Sequence, residues 1–418
     1  MVKARIVSLI ASGLLFASCG GAAAPAASPV SSAAAPPASP ASAAAASKPI
    51  SPAASPAASA ASASAAASTP ARAAAASPSG AASGGGSPSP AASRAPLNPP
   101  VRVNVGANAA SSGAPLFIAL EKGYFKDEGL DVHVTNFANT VEMVPLLISG
   151  QLDAGGAPDD PGLFNAMARG VDLRIVAYYA AAWKGTESPA VMVRQDLIDS
   201  GKYKSPKDLK GATIGVPAIS GGTVLYVEKT LAPYGLTKAD VNLTQIGFPD
   251  MIPAFANKKL DAAVEVEPFG LKIEQQHLAK TVQTAGNILP VGSPQLLLVY
   301  GPNFIQNKPE AAKRYMLAIL RGQRDLWHAF DKGDGDKQAI YQILSKYTAI
   351  KDPKQNAAIA AKGVLRGTLP NGEMPLDGLT LFQDYFVQNG LQTQKLDFSK
   401  IVDPSFGQYA VQQLGRVQ

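Results

Sequence analysis

The chain has 418 residues, of which 46% are hydrophobic and 16% charged, with a formal net charge of +6 and one cysteine. A single cysteine excludes a disulfide within the chain, because a bridge needs two sulfurs. The positive excess is modest and dispersed, without a basic cluster interleaved with aromatics, which argues against nucleic acid as a partner.

Lys3 and Arg5 precede an apolar run over 6–17 that is too short to cross a ~30 Å hydrocarbon core, so residues 1–19 read as a signal peptide. The run ends Leu15-Phe16-Ala17-Ser18-Cys19-Gly20. This ending resembles the bacterial lipobox, with Phe16 where leucine is usual. The resemblance implies a diacylglycerol on Cys19 and an extracytoplasmic lipoprotein held on a membrane. A plain secretory signal cleaved after a later alanine is the alternative. Residues 20–100 are almost wholly Ala, Ser, Pro and Gly, with Lys48, Arg72 and Arg94 as the charges. Such a stretch has too few large apolar groups to offset the entropy of ordering, and its prolines interrupt any alanine-driven helix. It reads as a disordered spacer, and random-coil scaling gives it a mean reach of roughly 50 Å.

From residue 101 the composition becomes globular, and no later run approaches a transmembrane span. VRVNVGA alternates Val101, Val103 and Val105 with polar positions, as a strand does. SSGAPLFIALEKGYF follows, with Ser111 or Ser112 as an N-cap and Leu116, Phe117, Leu120 and Tyr124 at helical spacing. Then come LDVHVTNF (strand), NTVEMVPLLISG (helix ending at Gly150), LDAGGA (strand), PDDPGLFNAMARG (helix) and LRIVAYYA (strand). The pattern restarts after PAVMVR with ATIGVPA (strand), SGGTVLYVEKTLAPYG (helix), VNLTQIGF (strand), DMIPAFANKKL (helix), DAAVEVEP (strand) and PFGLKIEQQHLAK (helix). An apolar run, PQLLLVYGP, leads into a mainly helical remainder carrying the stripe Tyr315, Met316, Ile319, Leu320, Leu326, Trp327 and Phe330. Regular alternation of strand and helix predicts an α/β fold with mostly parallel sheets. One unit, a second unit and a return predict two lobes, a double hinge and a cleft: 101–190 as the first part of lobe I, 191–284 as lobe II, and 285–418 as the return with C-terminal helices.

PLFIALEKGYFKDEGLDV, ISGQLDAGGA, KDLKGATIGVPA, YGLTKADV and FANKKLDAAVEVEP occur in the order and at the rough spacings of type II solute-binding proteins of ABC importers. The chain most resembles the nitrate, sulfonate, taurine and thiamine-precursor binding branch. The resemblance implies a two-lobed type II periplasmic-binding-protein fold that closes on a small solute, partners an ABC permease, works as a monomer, and needs no cofactor or metal.

In open α/β sheets, ligands sit beyond the carboxyl ends of the strands. Five loops fall there: 108–113, 155–161, 178–183, 217–223 and 265–268. The first offers Asn108, Ser111 and Ser112, and the second Ala157, Pro158 and Asp159. In the fourth, Ser220, Gly221, Gly222 and Thr223 open a helix whose N–H groups and dipole would favour a carboxylate, sulfonate or phosphate. An ordinary helix start capped by Ser220 is the bland reading. Asp159 and Asp160 oppose an anion if both face the cleft, but either suits an N-cap before Pro161. Of Glu265 and Glu267, at the end of the strand DAAVEVEP, one is expected to face the cleft. The resemblance favours Glu267, which would hold an amine such as that of a zwitterion or an aminopyrimidine. Among Tyr178, Tyr179 and Trp183, Tyr179 and Trp183 are the expected aromatic walls.

A secreted hydrolase is the rival from another class. G-x-S-x-G and H-E-x-x-H are absent, and His133, His277 and His328 are scattered without metal-ligand spacing. DKGDGDKQ fails the EF-hand register and reads as a turn. A fungal relative of the family is a pyrimidine-forming enzyme with a cysteine cluster, whereas residues 101–418 contain no cysteine. A sensor lipoprotein that signals ligand presence is the other alternative.

Overall fold

The computed structural model describes residues 95–137 and 140–418. The expected signal peptide, the lipid anchor at Cys19 and all but the last six residues of the expected spacer lie outside the described residues.

Two five-stranded sheets organise the chain. The first contains β1 (Val101–Ala107), β2 (Leu130–Asn136), β3 (Ala154–Ala157), β4 (Arg174–Ala181) and, from much later, β10 (Pro294–Tyr300), in the spatial order β2-β1-β3-β10-β4. The second contains β5 (Ala190–Arg194), β6 (Thr213–Val216), β7 (Asn242–Gln245), β8 (Ala262–Glu265) and β9 (Ala279–Thr284), in the order β7-β6-β8-β5-β9. In each sheet four strands run parallel, and one opposes them: β10 is antiparallel to β3 and β4, and β5 is antiparallel to β8 and β9. The antiparallel strand is each time the one laid down directly after the chain crosses from the other sheet. Both sheets are therefore mixed but mostly parallel, as the repeating strand–helix pattern predicts. PAVMVR and PQLLLVYGP are the crossing strands.

The helices follow from the apolar spacing. They are α1 (Ala114–Glu121), α2 (Met143–Ile148), α3 (Pro161–Ala168), α4 (Thr223–Leu231), α5 (Phe248–Ala256) and α6 (Phe269–Gln275) among the strands. After the return come α7 (Pro309–Leu326), α8 (Lys337–Tyr347), α9 (Pro353–Ala361), α10 (Asp377–Gln388) and α11 (Ser405–Leu414). The expected stripe on α7 is buried against the first sheet through Tyr315, Met316, Ile319 and Leu320. A Cβ on Gly322 would come 2.4 Å from the Pro115 carbonyl oxygen, so α7 and α1 cross at a point only glycine permits. Neither Ser111 nor Ser112 caps α1: a short 3₁₀ turn over Ser111–Gly113 precedes it, and Gly113 is the N-cap. The helix expected over 268–280 stops at Gln275, and AKTVQT becomes β9, whose β-branched residues pair with β5.

The C-terminal helices clasp the second sheet's lobe from two sides. On one, Leu271 of α6 packs with Ile350 and Ile359, and Lys272 Nζ donates to the Ala349 carbonyl at 3.2 Å. On the other, Lys238 Nζ donates to Asn389 Oδ1 at 2.6 Å, just past α10, while α10 also packs its Phe386 edge-on to Phe164 of α3 in the first lobe. One continuous apolar cluster runs from Leu163 and Phe164 through Val224 and Val227 to Phe382 and Phe386. The lobes thus share buried surface with the helical segment as well as with each other.

Candidate functional site

The parallel strands β1, β3, β6 and β8 deliver their carboxyl ends to one gap between the sheets. β1 leads to Asn108, β3 to Pro158, β6 to Pro217, and β8 to Val266. Where these loops face each other lies a cavity of about 80 Å³. Its wall includes Asn108, Ser112, Pro158, Asp159, Asp160, Gly221, Gly222, Thr223, Tyr226, Phe248 and Gln295. The lobes touch at its rim. Ser111 N donates to the Glu267 carbonyl at 3.3 Å. A Cβ on Gly222 would stand 2.7 Å from the carbonyl oxygen of Asp159, so glycine is what lets α4 approach the loop after β3.

Two adjacent aspartates have different tasks. Asp160 is the N-cap of α3: its Oδ1 accepts from Gly162 N at 2.7 Å, with Pro161 at N1. Asp159 is 9% exposed and its Oδ2 accepts no hydrogen bond from the described residues. Burial pushes its carboxyl well above the ordinary carboxylate range, and the nearby charge of Asp160 pushes the same way. The α4 terminus opposite it starts later than the sequence suggests. Ser220 is exposed and caps nothing, Gly222 is the N-cap, and the helix begins at Thr223. Gly221 N turns back to the Ala218 carbonyl, while the described residues supply no acceptor for Gly222 N, Thr223 N or the buried Thr223 Oγ1. Among the described residues no lysine, arginine or histidine lines the cavity. The wall therefore combines main-chain donors with no acceptor among the described residues and the unpartnered carboxyl oxygen of Asp159, an arrangement complementary to a group presenting both an acceptor and an N–H donor.

Glu267 is buried beside the cavity rather than in its wall, lining a smaller space of about 40 Å³ with Ser111 and Ser112. Its expected amine is the chain's own. Lys362 Nζ lies 3.1 Å from Glu267 Oε1 and 2.5 Å from Glu274 Oε2, and Leu271 N donates to Glu267 Oε2 at 2.9 Å. Burial raises the Glu267 carboxyl, and Lys362 and the Leu271 amide hold it back. Glu265, the alternate residue, is buried with Oε1 unpartnered among the described residues, and burial pushes it well up.

The expected aromatic walls lie elsewhere. Tyr179 is buried in the first lobe's core, its hydroxyl 3.1 Å from that of Tyr315, and Tyr178 is buried too, donating to the Pro375 carbonyl at 2.7 Å. Trp183 packs on the C-terminal segment: its Nε1 donates to the Gly363 carbonyl at 2.9 Å, and the Arg366 guanidinium lies 4.6 Å from its ring centroid. Ala157 is enclosed in β3. The aromatics that do line the cavity are Tyr226, one turn into α4, and Phe248, which opens α5. In the sequence Phe248 closes the expected strand VNLTQIGF, and Tyr226 lies inside the expected helix SGGTVLYVEKTLAPYG without being singled out. A signal existed, since each sits in the first turn of a helix that follows a strand's carboxyl end. Among the described residues no group of three His, Cys, Asp or Glu is arranged for a metal ion, and no helix is long and apolar enough to cross a membrane.

The fold is that of known binding proteins. The periplasmic nitrate-binding protein of Synechocystis superposes with a TM-score of 0.64 at 16% identity, covering 76% of this chain and 89% of that one. A Brucella abortus protein described as a binding protein is 27% identical over 273 residues, 65% of this chain and 80% of its own length. A 4-amino-5-hydroxymethyl-2-methylpyrimidine phosphate synthase of Saccharomyces cerevisiae is 25% identical over 218 residues, half of this chain and 61% of the yeast protein. The family described as NMT1/THI5 like matches residues 111–329, just over half of the chain. With its two mixed sheets and facing loops, the chain belongs to the NMT1/THI5 like family.

Proposed function

We propose that this chain is an extracytoplasmic solute-binding protein of an ABC importer, a monomer held on a membrane by a lipid on Cys19, that captures a small organic solute by closing two lobes. The observation that carries the reading is the cavity between two lobes joined by two crossings, with Gly222 and Asp159 meeting across its rim. Closure is driven by a solute only to the extent that it binds the closed form better than the open one. A cavity with walls from both lobes has that property, because its wall exists only when the lobes meet. The Brucella relative and the Synechocystis fold support a binding role. The yeast synthase raises a catalytic reading, against which stands a wall whose hydroxyls, those of Ser112, Thr223 and Tyr226, have no histidine beside them among the described lining residues.

The test is a solute screen on the full chain read by thermal unfolding and by small-angle scattering. A binding protein gives at least one solute that raises the melting temperature and contracts the particle while being recovered unchanged. A screen in which stabilising solutes leave the radius of gyration as it was, or emerge as new products, would defeat the reading.

A further inference from the structure

We infer that the solute is a small nitrogen base, received as a cation by the carboxylate of Asp159 and not as an anion by the helix terminus opposite. The inference rests on the cavity being the solute site and deepens that reading by assigning a charge class.

Three observations converge. Asp159 lines the cavity, is nine-tenths buried, and keeps Oδ2 without a hydrogen-bond partner among the described residues. A buried polar atom left unpaired costs free energy, and a buried unpaired carboxylate costs more, so its retention without a partner points to one that arrives from outside. Secondly, every ionisable side chain in the wall other than tyrosine is acidic: Asp159 and Asp160 are there, while the nearby cation Lys362 is already engaged by Glu267 and Glu274. Thirdly, the N-terminus of α4 already faces the Asp159 carboxyl group. A Cβ built on Gly222 would lie 3.3 Å from both Cγ and Oδ1 of Asp159. A sulfonate or nitrate set at that terminus would meet the carboxylate at close range in a space of about 80 Å³. A helix end is equivalent to roughly half a positive charge, which the Asp159 carboxylate outweighs in the ionised form that a bound cation favours.

A protonated base reverses each term. Its N–H donates to the Asp159 carboxylate, its charge neutralises that carboxylate, and any acceptor on the same molecule meets Gly222 N or Thr223 N. Tyr226 and Phe248 complete the wall with aromatic surface that suits a cation. Deprotonated aspartate and protonated base together form a charge-assisted pair, stronger than a neutral hydrogen bond.

The experiment uses probes matched in shape and opposite in charge: guanidinium against nitrate, and acetamidinium against acetate, titrated into the full chain at low concentration and constant ionic strength. Binding is read by calorimetry and thermal shift for the natural chain and for Asp159→Asn. The expected result is binding of the cationic member of each pair only, weakened by roughly 30-fold or more in Asp159→Asn, with the variant's melting temperature unchanged or raised. Cation binding that survives Asp159→Asn removes Asp159 from the site and overturns the inference. Binding of nitrate or acetate in preference, or a failure of all four probes while a neutral or anionic solute from the wider screen contracts the particle, overturns the charge class and leaves solute binding intact. If no solute of any charge stabilises or contracts the chain, both readings fall.

Discussion

Lys362→Met removes the cation that stands between two carboxylates of the second lobe while keeping the length of its stem. Glu267 retains 6% side-chain exposure and Lys362 18%, so Glu267 would be left buried with only the Leu271 amide as donor. Breaking a fully buried pair by deleting one partner costs about 3–5 kcal/mol. The partial exposure of Lys362 reduces this, and about 2–3 kcal/mol is expected where Glu267 must stay ionised. For a chain of this size that corresponds to about 4–6 °C in melting temperature. The sign of the pH dependence follows from the direction of the shift. The Glu267 carboxyl is raised by burial in the folded state, so its contribution is fully present below the unfolded-state value and is lost as pH rises through the folded one. Without Lys362 the folded value rises further, and the loss extends further. The deficit of Lys362→Met should therefore be small at about pH 5 and reach its full size at about pH 8.5. Thermal unfolding of the natural chain, Lys362→Met and Lys362→Met/Glu267→Gln at both pH values checks it, the double variant recovering most of the loss at the alkaline end. An equal deficit at both pH values, or a double variant as unstable as the single one, would refute the argument that an unpaired buried Glu267 is the cause.

Gly222→Ala places a methyl 2.7 Å from the Asp159 carbonyl oxygen. The overlap costs the closed form about 1–3 kcal/mol, so solute affinity should fall about 5- to 150-fold while scattering reports a more open particle; unchanged affinity and shape would mean that the lobes close without this contact. Trp183→Ala removes a half-buried ring packed on Gly363 and Gly367. It should cost about 2–3 kcal/mol of stability and leave solute affinity unchanged; a selective loss of affinity would return Trp183 to the site. Cys19→Ser should move the protein from the membrane to the soluble fraction on cell fractionation, and an undiminished membrane fraction would contradict the lipid anchor.

Local pattern carried much of the architecture. The alternation of Val101, Val103 and Val105, the stripe on α7 and the repeated strand–helix order each express a periodicity that burial on one face imposes. The same logic located the loops after β1, β3, β6 and β8, because in a parallel arrangement all carboxyl ends arrive at one edge. Periodicity also stated that only one of two adjacent strand residues, such as Tyr178 and Tyr179, can face a given side.

Which one, and what waits there, was decided by partners distant in the chain. Asp159 and Asp160 are chemically identical in the sequence, and only the start of α3 makes one a cap and leaves the other for the cavity. Glu267 looked like a receiver for an external amine until the fold brought Lys362 to it from the C-terminal helices. Tyr179 turned inward because Tyr315 of α7 offers its hydroxyl a partner inside the core. Phe248 reached the cavity because α5 opens there. A sequence sets the period of burial and the chemistry available at each position, since these depend on near neighbours. The occupation of a buried group's hydrogen bonds and charge depends on what tertiary packing places within a few ångströms, and that distance has no expression along the chain.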